Sequence, residues 1–560
     1  MESEEKKYNK KLTNIKFNFI AIICISIFMI GLVGKTLQND TFYTIKLGEY
    51  ILNNGIDMIE HFAWHEGLIY TYPHWLYDIG IYLIYNAFGF NGIYVSSIIL
   101  GIVLGLSIYF VTSKISKNNL ISFFVTLLIM YLGRGYITAR AQLVTFILFV
   151  WTMYFIEKFL DTKKIRYAIG LIIIPMAIAN IHAAVFPFYF VLYLPYIGEY
   201  LIAIIREHSD LLTKFFIKSD KLEINKLSKK ESRTEKEEQR LITYIKRVEV
   251  NEKRLLEKKE SKANKVEQKI IIKKRTNVKW LILVMIICAF TGLVTPIGDT
   301  PYTYLLHTMQ GNTTGNISEH LPLTLYQHKE AMILIVTYLV LLIIPKNKIK
   351  LSDLFLLGGL TFLTFMSRRQ LSMLLFVGII PLVNMIVNLI DIYSSKKDIE
   401  LVKYYITTVI GQVIAYILII AVSGCLYWQI RNNKILNDNS YPVEACNYII
   451  ENLDVNNIKI FNDYNYGSYL MLREIPVFID SRADVYDPKF NGLDDDIFQD
   501  YIKLSGLSCY YEDKFEHYGI THVMTYANSK LALYLSKDAN YLELYKDKNF
   551  VIYERLTDIK

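Results

Sequence analysis

Apolar residues in this chain come in blocks of roughly 15–25 separated by polar segments, the length a helix needs to cross hydrocarbon. The blocks run at 17–34, 75–88, 91–112, 119–133, 141–160, 166–181, 183–204, 279–296, 331–345, 352–367, 370–392 and 404–429. Between them, TSKISKNN (112–119), DTKKIRY (161–167), the insert 205–278, PKNKIK (345–350) and SSKKDIELVK (394–403) are rich in Lys and Arg. Basic loops stay in the cytoplasm. All five can do so only if one block does not cross, and 75–88 is that block. It is short, carries Asp78 and several Tyr, and reads as interfacial or re-entrant. The pattern predicts a polytopic α-helical membrane protein of about 11 transmembrane helices. The N-terminus and 205–278 are expected in the cytoplasm and 431–560 outside it.

That orientation rests on the basic loops alone, yet it places 40–91, GRGYITAR (133–140), NIH (180–182), 297–330 and SRRQ (367–370) on the outer face. These segments hold most of the polar residues that interrupt apolar sequence. They predict an outward-facing polar cavity.

Four parts follow: an N-terminal transmembrane module (1–204) with a long first outer loop (37–75), a charged cytoplasmic insert (205–278), C-terminal transmembrane helices (279–430) and an extracytoplasmic tail (431–560). In the insert, Leu241, Tyr244, Ile245 and Val248 follow helical spacing. That spacing suits a helical hairpin or short coiled coil, while the Lys/Glu/Arg composition suits a solvated cytoplasmic loop offering a surface to a partner. In the tail, IKIFND (458–463), IPVFID (475–480), ITHVMTY (520–526) and FVIYERL (550–556) read as strands. They alternate with helical stretches at 443–453 and 529–538, which predicts a small α/β domain.

Composition agrees: 53% of the 560 residues are hydrophobic. The net charge of +8 is no nucleic-acid signal, because the excess Lys and Arg lie in loops between apolar blocks. The five cysteines have no metal-ligand spacing, and only Cys446 and Cys509, both in the tail, offer a disulfide. His61 and His65 stand four apart, but HFAWH lacks the Glu of a helical zinc-protease motif.

Ionisable residues at a membrane edge are candidates for function. Here they are Asp40, just after the first span, then Glu60, Arg140, Asn180 with His182, Glu319, and the pair Arg368–Arg369. Arginine outside runs against the charge rule, and its planar fork binds phosphate in two-pronged fashion, so the pair points to an anionic ligand.

Several features taken in order carry a resemblance. They are Asp40, then Gly48-Glu49-x-Ile51-Leu52-x-x-Gly55, Phe62, Trp75-Leu76, Arg140-Ala-Gln142, Asn180-Ile-His182, Thr295-Pro-Ile-Gly298 with Ile317-Ser-Glu319, and Arg368-Arg369. In the tail come Tyr466-Gly467-Ser-Tyr469-Leu470 and Val477-Phe-Ile-Asp480-Ser-Arg482. In these the chain resembles the GT-C superfamily of integral-membrane glycosyltransferases, in a bacterial branch related to the dolichyl-phosphate-mannose-protein mannosyltransferases. It departs from that branch at Thr44, where a His is common, at Asp57, where Pro is usual, and at Arg140-Ala141, where Arg-Pro is usual.

The resemblance implies a sugar donor linked to a polyprenyl phosphate and an acceptor on the outer face of the cell membrane. It gives Asp40 the role of base, with Glu60 beside it. Arg368, Arg369, Arg140 and His182 would hold the donor phosphate, with Glu319, Asn180 and Gln142 completing the site. Asp40, Glu60 and Glu319 are hard oxygen ligands that suit magnesium or manganese. A transporter or flippase of lipid-linked sugars would also need a polar cavity with arginines, and a non-catalytic membrane scaffold would present the tail. The absence of an internal repeat, and the gathering of polar clusters at one face, favour the enzyme.

Overall fold

The computed structural model describes residues 2–230, 234–263, 269–394 and 396–556. Within these, Lys10–Leu32, Trp75–Ser116, Ala141–Thr162, Ala183–Ser228 and Val409–Ile430 are long and apolar enough to cross a membrane. A sixth crossing is available where Arg368–Phe376 and Ile379–Tyr393 meet at a 46° bend. The chain is a multi-pass membrane protein. The eleven full-length crossings expected from the sequence are not all present, because several blocks form helices too short for a span. These are Asn119–Leu132, Ile165–Ile181, Val278–Leu293 and Leu351–Met366.

The block at 75–88 is the first of two helices within Trp75–Ser116, which meet at a break at Gly89 (φ 61°, ψ −157°), a conformation open to glycine and strained for other residues. The helices pack around one apolar core in which Ile25 and Met29 meet Leu104, Ile108, Phe146, Val150 and Leu374, all buried.

The insert is a helical hairpin over its described part. Leu194–Ser228 runs on out of its span, and Glu235–Ala263 folds back along it. Ile217, Leu241 and Val248 are buried in the hairpin while most of its charged residues face solvent. The insert's residues 231–233 and 264–268 lie outside the described residues.

In the tail, four strands form one sheet in the order Ile460–Phe461, His522–Tyr526, Phe550–Arg555, Tyr541–Lys546. The first pair is parallel and the others antiparallel. The helices Val443–Asn452, Tyr464–Leu472, Ile497–Gly506 and Lys530–Leu535 surround it. One expected strand is corrected: 475–480 does not join the sheet. The Asn462 side chain accepts from the Phe478 N–H (2.8 Å) and donates to the Ile479 carbonyl (2.7 Å), standing in for a neighbouring strand. That frees Val477 to pair with the first loop, where its N–H donates to the Phe62 carbonyl (3.1 Å) and its carbonyl accepts from Trp64 (3.2 Å). Tyr541–Lys546 is a strand the sequence reading lacked. Cys446 and Cys509 are both free.

Candidate active site

Helix Asn39–Asn54 opens the loop after the first span and puts Asp40 in its first turn, where the helix dipole favours a negative charge. Facing it is Arg140, the extended residue that caps Ala141–Thr162. Its Nη2 lies 2.8 Å from Asp40 Oδ2, while Nη1 donates to both oxygens of Glu319 at 3.1 and 3.3 Å. One guanidinium therefore holds two carboxylates from distant parts of the chain. Burial works against the charge on Arg140, but Asp40 and Glu319 outweigh it and raise its pKa. Burial pushes the Glu319 carboxyl up, and Arg140 and Arg369 bring it below the ordinary range.

The corner at 367–370 is stitched to the Glu319 loop. The Glu319 carbonyl accepts from Arg369 N–H (3.0 Å) and Ser367 Oγ (3.3 Å). Arg368 gives its N–H to Leu321 and its Nε to Pro322. Arg368 is thus engaged with backbone. Arg369 is half-buried and, among the described residues, has no carboxylate within 4 Å. It remains close enough to help lower His320 to about 4, after burial, the larger cause.

Buried polar atoms without a partner gather here. Of sixteen among the described residues, eight belong to Gln38, Asn39, Thr41, Tyr70, Trp75, Tyr77, Asp78 and Arg140. A cavity of about 170 Å³, which neither Asp40 nor Arg140 lines, lies between Gln38, Ser97, Arg134, Thr138 and Ala139.

Not every expected residue is in this group. Glu60 is fully buried and bound by both Nη atoms of Arg482, a residue that also grips Asp480. Glu60 further accepts from the N–H groups of Phe62 (2.7 Å) and Ala63 (3.1 Å), and Tyr486 donates to Asp480 (2.7 Å). Its oxygens are committed to a clamp between loop and tail, so the structure moves Glu60 from an acid–base position to a structural one. The expected cation set of Asp40, Glu60 and Glu319 is corrected on the same ground. Asp40 and Glu319 are paired with Arg140 while Glu60 is held apart by Arg482, and among the described residues no three His, Cys, Asp or Glu gather to hold a metal ion. His182 is buried with Nδ1 2.9 Å from Thr145 Oγ1. Asn180 ties Met176 to Val294 through its side-chain amide. Gln142 is half-buried in the first turn of Ala141–Thr162.

Other groups were missed. Tyr43, one turn beyond Asp40, hydrogen-bonds His74, which hydrogen-bonds the buried Asp78. The i,i+4 spacing of His74 and Asp78 was the available signal. Tyr304 and Thr308 both donate to Asp484, joining the 297–330 loop to the tail.

Helix ends that meet over a charged site, with a tail folded onto the first loop, are a fold that this chain shares with a solved membrane-protein structure, that of an oligosaccharyltransferase. In particular, it is similar to the crystal structure of the Archaeoglobus fulgidus oligosaccharyltransferase in its apo form. The TM-score is 0.53 with 10% identity, over 92% of this chain and 70% of that one. The same enzyme tethered to an acceptor peptide containing the NVT sequon gives 0.50, with 11% identity over the same shares. No protein-family model and no curated protein matches the chain.

Proposed function

We propose that this protein is a glycosyltransferase that moves a sugar from a polyprenyl-phosphate donor to an acceptor hydroxyl on the outer face of the cell membrane. The observation that carries this reading is Arg140 held between Asp40 and Glu319, with Arg369 alongside and free of a carboxylate. Asp40 accepts the hydrogen bond of the acceptor hydroxyl and takes its proton as the new glycosidic bond forms. The lipid phosphate leaves with the electron pair of the broken bond. Arg369, with Arg140 behind it, meets the growing charge in a site partly closed to water. A single displacement inverts the anomeric centre. The partnerless polar atoms around Asp40 supply hydrogen bonds to the sugar. The hairpin insert lies on the cytoplasmic side and the tail covers the site from outside.

The test is transfer by purified protein in lipid vesicles, using radiolabelled polyprenyl-phosphate hexoses with an alkyl hexoside or water as acceptor. Asp40→Asn should lower turnover on the order of 10²- to 10⁴-fold, the usual weight of a general base. Turnover equal to that of the unmodified protein would remove Asp40 from the mechanism.

A further inference from the structure

Resting on the transferase reading, we infer that Tyr43, His74 and Asp78 form a proton relay that takes the acceptor's proton onward from Asp40. Tyr43 follows Asp40 by three residues, so the two share one face of helix Asn39–Asn54. The Tyr43 hydroxyl lies 3.3 Å from His74 Nε2, and His74 Nδ1 lies 2.7 Å from Asp78 Oδ1. Burial raises the Asp78 carboxyl pKa, and His74 opposes that rise; with Asp78 ionised the carboxylate only accepts, which puts the hydrogen on Nδ1 and turns the Nε2 lone pair to Tyr43. The rings of Tyr43 and His74 stack with centroids 5.6 Å apart. Helix Asn39–Asn54 is pressed onto this group, since a Cβ on Gly48 would stand 2.1 Å from the Asp78 carbonyl oxygen.

Two further features call for a role beyond packing. Asp78 is fully buried, and its Oδ2 has no hydrogen-bond partner among the described residues. Burying a carboxylate is costly unless something opposite becomes charged. A His74 that gains a proton supplies that charge. The arrangement of hydroxyl, imidazole and buried carboxylate is also the one by which an orienting acid fixes a histidine tautomer.

The step balances as follows. The acceptor oxygen bonds to the anomeric carbon as the bond from that carbon to the phosphate oxygen breaks, and the electron pair leaves with the phosphate. The acceptor proton passes to Asp40. While Asp40 holds it, the ion pair with Arg140 is lost. Asp40 and the Tyr43 hydroxyl share no direct hydrogen bond, so Asp40 gives the proton to a bridging water, which passes one to the Tyr43 oxygen as the Tyr43 hydroxyl proton moves to His74 Nε2, leaving an imidazolium against Asp78. His74 is partly open to solvent and returns the proton to water when product departs. Asp78 acts through His74 and is a positioning residue.

The same vesicle assay tests this with Tyr43→Phe, His74→Gln and Asp78→Asn. Phenylalanine keeps the stacked ring and removes only the hydroxyl. Each variant should lower kcat at least tenfold with donor KM within about twofold. The Tyr43→Phe, His74→Gln double variant should cost no more than the worse single one, because one path is already broken. Unchanged kcat in Tyr43→Phe, or losses that multiply in the double variant, would overturn the relay while leaving the transferase reading intact. Nitrogen-15 NMR of labelled histidine gives an answer independent of turnover. His74 should be the Nδ1–H tautomer, with its Nε2 signal moving in Tyr43→Phe. An Nε2–H tautomer, or an Nε2 indifferent to that change, also rejects the relay.

Discussion

Arg482→Met is the sharpest test of how the tail is held on the first loop. The Arg482 side chain is 3% exposed, and Glu60 and Asp480, which it joins, are 0% exposed. Methionine fills much of the same space but leaves two buried carboxylates facing each other without a cation. Removing one partner of a buried ion pair costs about 3–5 kcal/mol. At roughly 1.4 kcal/mol per factor of ten, the loop–tail contact should open on the order of 10²- to 10⁴-fold more often. Hydrogen exchange reads this directly, because the Trp64 and Val477 amides are the bonds that bridge loop and tail. The two should lose protection together in Arg482→Met, whereas amides within Ala141–Thr162 should not. The triple variant Glu60→Gln, Asp480→Asn, Arg482→Met removes all three charges and should recover most of the protection, since a fully replaced pair is often neutral. Normal protection in the single variant, or a triple variant as open as the single, would refute the reading of this trio as the clamp.

Further outcomes follow from other positions. Gly48→Ala forces a methyl against the Asp78 carbonyl and should cost roughly 1–3 kcal/mol as overpacking, seen as a lower thermal midpoint in detergent. Arg369→Ala should weaken binding of a polyprenyl-phosphate hexose more than Arg368→Ala, because Arg368 is engaged with backbone carbonyls; equal effects in a direct binding titration would argue against it. His65 sits against the Phe478 carbonyl (2.9 Å), and burial lowers its pKa from 6.5 to about 4. Its folded pKa lies below its unfolded one, so its contribution is full above pH 6.5 and is lost as pH falls toward 4. Thermal midpoints should decline across that window and do so less steeply in His65→Gln.

The sequence was most legible where physics acts locally. Block length and loop charge yielded the membrane class, and the segments they placed on one face do meet around Arg140. Block length alone could not tell a full crossing from a shorter helix such as Ile165–Ile181, because both read as an apolar run of similar length. Glu60 was misplaced for a different reason. Both acids lie in the same first outer loop, and the Arg482 that binds Glu60 is 422 positions away in sequence. The strand expected at 475–480 is a short apolar run rich in Val, Phe and Ile, but Asn462 satisfies its backbone from the side. Tyr43 escaped notice because one tyrosine among 43 carries no signal until a histidine faces it.

The clamp joins residues 422 positions apart, and this fixes when the protein becomes whole. At about 5–20 residues per second, a ribosome needs roughly 20–80 s to travel from Glu60 to Arg482. Throughout that interval the first loop waits with an acid whose partner has not been made. The helices can settle in the bilayer one after another during synthesis, yet the loop cannot close until the tail emerges. A chain stalled before Arg482 would be inserted and incomplete, and its loop should be the first place a protease cuts.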